Sequence, residues 1–149
     1  MSEISKEAFL GIDTSNYRTS VALYYSGGTY QSSRKLLPVP KGEKGLRQND
    51  AVFAHVKQFA EVFSKLDLEN TVIKGVGVSV SPRNTAGSYM PCFSFGQSVA
   101  SAIAQSHGVR CYEFSHQHGI LQQVSSLATD LTFWIKTFML YICQVEQQK

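Results

Sequence analysis

The chain has 149 residues, 43% of them hydrophobic and 17% charged, a globular composition long enough for one sizeable core, which excludes a disordered or fibrous chain. A formal charge of +3 permits contact with a polyanion without requiring it. Three cysteines, Cys92, Cys111 and Cys143, are odd in number and form no CxxC pair, which argues against a disulfide framework or zinc knuckle and for a reducing compartment.

The opening MSEISKEAF carries acidic residues and no apolar run, so it does not read as a signal peptide. LTFWIKTFMLYIC is broken by Lys136 and is too short to span a bilayer. These features predict a soluble cytoplasmic protein. FLGID, residues 9–13, reads as a buried strand that runs into the turn-forming Thr14, Ser15 and Asn16. RTSVALYYS reads as a second strand, Gly27-Gly28 as a hairpin turn, and TYQSSRKLL as a third strand. LPVPKGEKGLRQ, with two prolines and two glycines, is a loop.

From Asp50 the period becomes helical. Val52, Phe53, Val56, Phe59, Ala60 and Phe63 share one face, and Asn49 or Asp50 stands where a cap is needed. The Val-rich residues 72–81 alternate as a strand and lead into the loop PRNTAGSYMP. A second helix is predicted from Phe93 to Ser106. Ser98, Ala100, Ser101, Ala102 and Ala104 let a neighbour approach it closely, and Gly108 stands at its C-cap. VRCYEF reads as a strand, and helical spacing returns after His116. The order β-β-β-α-β-α-β-α implies an α/β layer fold with a mixed sheet.

Few residues are placed to carry chemistry. Asp13, Thr14 and Ser15 bring a carboxylate, two hydroxyls and backbone N–H groups to one strand end, which suits a phosphate or its magnesium ion. From spacing alone the same residues more simply form a plain Asx-type turn. His116 and His118 follow a strand end, where α/β sheets place ligands. At i, i+2 they share a metal only with loop geometry, and a structural role is the other reading. His55 and His107 read as surface or interface histidines. Arg34, Lys35, Lys41, Lys44 and Arg47 form a basic cluster that either meets RNA phosphates or is simply solvated. Met90, Phe93 and Phe95 read as core.

Taken in order, LGIDTSNYRTSVALY, RKLLPVPKGEKGLRQNDAVFAHVKQF, IKGVGVSVSPRNTAGSYMPCFSFGQSVASAIA and YEFSHQHG resemble the amino-terminal half of the TsaD-type tRNA threonylcarbamoyladenosine transferases. That family was formerly named glycoprotease or O-sialoglycoprotein endopeptidase, peptidase class M22, and the resemblance is to a bacterial paralogous branch of it. It covers residues 8 to about 120. It implies the first lobe of an actin-like ATPase fold of the Hsp70, actin and sugar kinase type. It also implies ATP and a divalent metal, iron or zinc, as cofactors, and threonylcarbamoyl transfer from its adenylate to N6 of a tRNA adenosine.

By the same resemblance Asp13, Thr14 and Ser15 match the first phosphate loop, usually Glu-Thr-Ser. Gly87 and Ser88 match a glycine-rich segment in which Arg83, Asn84 and Thr85 replace most of the usual residues. His116 matches the first histidine of HxEGH, while His118 stands at the acidic position and Ile120 at the second histidine. The implied metal site, His116 with His118, is therefore degenerate. No catalytic residue is assigned. Three functions remain: a transferase-like protein inactive without a second lobe, a non-catalytic scaffold dimerising through the helix Phe93 to Ser106, and a metallopeptidase.

The last residues carry a separate expectation. Tyr-His-Met-Ser-Gly-Gly-Thr-Thr-Glu, a sequence of the type this family carries in its second phosphate loop, can be written TAC CAT ATG TCA GGT GGA ACA ACA GAA. Removing one C at the first junction gives TAC ATA TGT CAG GTG GAA CAA CAG AA. That translates to the residues Tyr141 to Gln148, then Lys149 if a purine follows. Residues 1–141 are thus expected to be the lobe, and 142–149 a frameshifted tail.

Overall fold

In the computed structural model, residues 5–83 and 85–116 are described. His118, Ile120, the run Phe138 to Ile142 and the tail 142–149 lie outside them. The elements are β1 (Lys6–Thr14), β2 (Arg18–Tyr25), β3 (Tyr30–Leu36), α1 (Gln48–Phe63), β4 (Thr71–Ser81), α2 (Cys92–His107) and β5 (Cys111–Ser115). They form a mixed five-stranded sheet in the order β3-β2-β1-β4-β5. The β1–β2 and β2–β3 pairs are antiparallel, and β4 runs parallel to both β1 and β5. The expected α/β class and mixed sheet are observed.

Local chemistry explains the connections. Gly28 at φ 91° donates its N–H to Tyr25 O at 2.9 Å, closing the β2–β3 hairpin with a backbone conformation open to glycine. The parallel partner β4 cannot be reached by a tight turn, so α1 makes the crossover and α2 the next one. Gly108 ends α2 in the left-handed conformation at φ 64°, as its sequence position predicts.

Strand β1 lies between two partners and is buried from Ala8 to Thr14. Its alternate residues Ala8, Leu10 and Ile12 join Val21, Leu23, Ile73, Val76 and Val78 under Val62 of α1 and Ala100 and Ala104 of α2. The core therefore sits between the sheet and both helices. A register shift between Ala8 and Phe9 brings the Phe9 ring over Gly75, where an added Cβ would meet Phe9 Cδ1 at 3.2 Å. A second small cluster, Ala22 with Tyr24 and Phe114, lies apart from that core.

Helix α1 departs from its sequence reading in two ways. It starts at Gln48, Arg47 is its N-cap, and no side chain caps it, so neither Asn49 nor Asp50 has that role. Its buried residues are Ala51, Ala54, His55, Gln58 and Val62, whereas Phe53 is 63% and Val56 49% exposed. The aromatic stripe thus faces partly outward, because β2 and β3 offer hydrogen-bond partners to the polar side chains on the flank beside it. On α2, Gly96, Ala100 and Ala104 press on the sheet, while Ser98, Ser101 and Ala102 are exposed. No helix among the described residues is long and apolar enough to cross a membrane.

Candidate functional site at the end of strand β1

The site forms where β1 stops. Asp13, Thr14 and Ser15 are all buried, because β1 is the central strand and its end is covered by α1 and α2. Asp13 Oδ1 accepts the Ser15 N–H at 2.8 Å, so the Asx-type turn is formed. Its other oxygen, Oδ2, lies 2.7 Å from His116 Nδ1, across 103 residues of sequence. The parallel pairing of β4 and β5, with His116 N–H donating to Ser81 O at 2.7 Å, carries His116 to that position. A carboxylate accepting Nδ1–H fixes the orientation of the imidazole ring.

Thr14 is spliced into the first turn of α2. Its Oγ1 donates to Cys92 O at 2.9 Å and accepts the Gly96 N–H at 3.2 Å. That close approach requires glycine, since a Cβ at position 96 would stand 2.6 Å from Thr14 Oγ1. Gln48 ties the turn to both helices, donating to Asn16 Oδ1 at 3.0 Å and accepting from Cys92 N–H at 3.2 Å.

His55 is fully buried, not a surface histidine. Its Nε2 faces the Ser15 carbonyl at 2.9 Å, so that nitrogen donates. Its Nδ1 lies 2.7 Å from Thr19 Oγ1 and in the neutral ring accepts from that hydroxyl. Gln58 completes the chain by donating to Thr19 Oγ1 at 2.8 Å and to Lys35 O at 3.1 Å. Burial lowers the pKa of His55 below its ordinary 6.5 and outweighs the Ser15 carbonyl and the Asp13 charge, which act the other way. The imidazole is a neutral strut under the turn. Gln48, His55 and Gln58 fall at helical spacing on the flank beside the aromatic stripe.

Cys92 begins α2, a position that can activate a thiol. Burial and the neighbouring Asp13 charge instead push its pKa up to about 11, which makes it inert at neutral pH.

Gly87 and Ser88 lie in the loop between β4 and α2. Gly87 adopts φ 80° and has open space around it, and Ser88 Oγ accepts the Arg83 N–H at 3.0 Å within the same loop. Closer to Asp13 are two serines that the sequence reading passed over. Ser20 pairs with Asp13 across β1–β2. Ser79 stands one residue beyond the Ile12–Val78 pair, fully buried, its hydroxyl without a partner among the described residues.

These residues fit a polar ligand in part. Ser79 holds a hydroxyl beside Asp13 that has no partner among the described residues, and Asp13 orients the His116 imidazole. The oxygens of Asp13 and Thr14 already have partners within the chain. Among the described residues no group of three or more His, Cys, Asp or Glu side chains could hold a metal ion, so residues 5–116 do not supply a full ligand set.

No family model and no curated protein matches the chain. Among solved structures, YeaZ from Pseudomonas aeruginosa is similar with a TM-score of 0.53 and 16% identity, over 78% of this chain and 47% of that one. This chain thus spans about half of YeaZ, and the likeness is one of fold. Thermus thermophilus RuvC aligns at TM-score 0.42 and 12% identity over 94% of this chain and 96% of that one. RuvC in complex with a Holliday junction substrate aligns at 0.43 and 9%, over 95% and 96%.

Proposed function

We propose that the chain is a first-lobe unit of the actin-like ATPase type, serving threonylcarbamoyladenosine formation in tRNA as a transferase-like half-centre that is not competent alone. The observation that carries this reading is the 2.7 Å contact between Asp13 and His116. The resemblance assigns one to a phosphate loop and the other to a metal site, and in that family the two belong to one centre. The likeness to YeaZ supports the fold part of the reading. A divalent metal held by His116 would supply charge to neutralise a phosphate or polarise a carbonyl. The chain's own residues do the rest: Asp13 orients His116, His55 props Ser15, and Thr14 locks the turn to α2. Nucleotide affinity is weak, because the Asp13 and Thr14 oxygens are turned inward.

That inward turn favours a second reading, a non-catalytic scaffold of the same chemistry that self-associates through α2. Both readings predict that deleting the coding sequence from its host lowers threonylcarbamoyladenosine in total tRNA, measured by mass spectrometry and restored by the wild-type gene. An unchanged level overturns them. They separate on rescue: His116→Ala fails to restore the nucleoside if the half-centre reading is right and restores it if the scaffold reading is right.

A further inference from the structure

The basic cluster Arg34, Lys35, Lys41, Lys44 and Arg47 is not used by this site, and it borders a different feature. A pocket of about 450 Å³ opens between α1 and the end of β3, lined by Leu36, Pro38, Leu46, Phe53 and Ala54 and, beside them, by two lysines, two acids and a glutamine. Leu36 and Phe53 are 68% and 63% exposed, so the apolar part of the pocket wall is open to solvent.

Strand β3 ends the sheet among the described residues. Leu37 N–H donates to Tyr17 O, and Tyr25 N–H to Thr29 O, both at 2.9 Å. These bonds, with the β2–β3 register, show that the odd-numbered residues of β3 bond inward to β2. In an antiparallel ladder the intervening residues then direct their N–H and C=O groups outward. Ser32, Arg34 and Leu36 occupy those positions, and all three are exposed. A strand edge beside a helix, with an apolar slot between them, is the geometry by which sheets accept an extended peptide.

Charge selects the occupant. The charges lining the pocket balance, Lys35 and Lys57 against Asp50 and Glu61, with Glu61 paired to Lys35 at 2.6 Å; the basic excess comes from the connecting loop, where Lys41, Lys44 and Arg47 outnumber Glu43. A second copy adding its own β3 would bring Arg34 and Lys35 against their equivalents, and like charges across a ladder repel. We infer that the β3–α1 groove binds a partner protein through an extended segment in which apolar residues alternate with acidic ones. The apolar residues enter the slot over Phe53, the segment's backbone continues the sheet, and its carboxylates meet the basic rim. A phosphate chain lacks the two-residue alternation of donors and acceptors that the edge offers, so a nucleic acid is the disfavoured occupant.

The test uses the full chain and three peptide arrays: aliphatic residues alternating with Asp or Glu, the same set with Lys in place of the acids, and the acidic set N-methylated on alternate backbone nitrogens. Fluorescence anisotropy reads binding, with a labelled oligouridylate as a further probe. Members of the acidic set are expected to bind, more weakly as salt rises, and the Lys set is expected not to. N-methylation on the strand-facing side and Phe53→Glu should each weaken binding roughly ten-fold or more. Phe53 is exposed, so this substitution leaves the core intact, as a thermal melt will verify. Absence of binding across the acidic set overturns the inference. So does binding indifferent to N-methylation and to Phe53→Glu, or oligouridylate binding at these residues without any peptide.

Discussion

Replacing Gly96 by alanine isolates the tightest contact in the site. The new Cβ would lie 2.6 Å from Thr14 Oγ1 and 3.1 Å from its Cγ2. Thr14 is buried and β-branched, so its side chain cannot swing away cheaply. Rotating it would sacrifice the bonds to Cys92 O and Gly96 N–H, worth about 0.5–1.5 kcal/mol each. Overpacking a core in this way costs about 1–3 kcal/mol. Against this, alanine is favoured over glycine inside a helix by roughly 0.5–1 kcal/mol. The net is a loss of about 1 kcal/mol, rising to about 2.5 at most, which at a urea slope near 2 kcal/mol per molar lowers the unfolding midpoint by roughly 0.5–1.2 M. The decisive comparison is the same substitution in a Thr14→Ala background, where the clash is gone and only the helix preference remains. There Gly96→Ala should be neutral or stabilising by up to about 1 kcal/mol. If Gly96→Ala is as stable as the wild type, or if its effect is the same with and without Thr14, the reasoning about this contact is wrong.

Protonating His55 must break its acceptance from Thr19. Because its folded pKa lies below the ordinary 6.5, the unfolded chain binds the extra proton first, and stability is lost as pH falls through 6.5 toward the folded value. His55→Gln should flatten that part of the urea-midpoint-versus-pH curve relative to wild type; parallel curves would refute the assignment. Cys92, with its pKa pushed up to about 11, should resist iodoacetamide at pH 8 in the folded chain and react once urea unfolds it, as peptide mass spectrometry will report. Ser79 buries a hydroxyl that has no partner among the described residues, at a cost of about 1–3 kcal/mol, so Ser79→Ala should raise the urea midpoint; a fall would mean the hydroxyl has a structural partner.

The sequence was most informative where backbone rules act locally. The Gly27-Gly28 turn and the Gly108 cap each follow from one residue's conformational freedom and are found where expected; β4 is found as a strand, but its run from Gly75 to Ser79 is buried on both faces rather than alternating, because it lies between β1 and β5. The sequence was least informative on the inner face of α1. Periodicity weighs Phe53 and Val56 as core because they are large and apolar, yet His55 and Gln58 are buried because Thr19, Ser15 O and Lys35 O satisfy them. Those partners come from β2, β3 and the first turn, and no window along α1 contains them. Asp13 was legible as a turn residue and His116 as a strand-end histidine. Their contact depends on the parallel alignment of β1, β4 and β5, a tertiary fact. Ser79 went unnoticed for the same reason, since only strand register sets it beside Asp13.

The central claim is that the end of β1 and the residue after β5 form one unit through Asp13 and His116. A long-range proton–nitrogen correlation spectrum of the uniformly labelled chain at pH 7.5 tests it directly, with His116→Ala assigning the signals. The account predicts that Nδ1 of His116 carries a proton in the wild type and that its resonance changes in Asp13→Ala. A His116 ring protonated only on Nε2, or one indifferent to the loss of the Asp13 carboxylate, would contradict it.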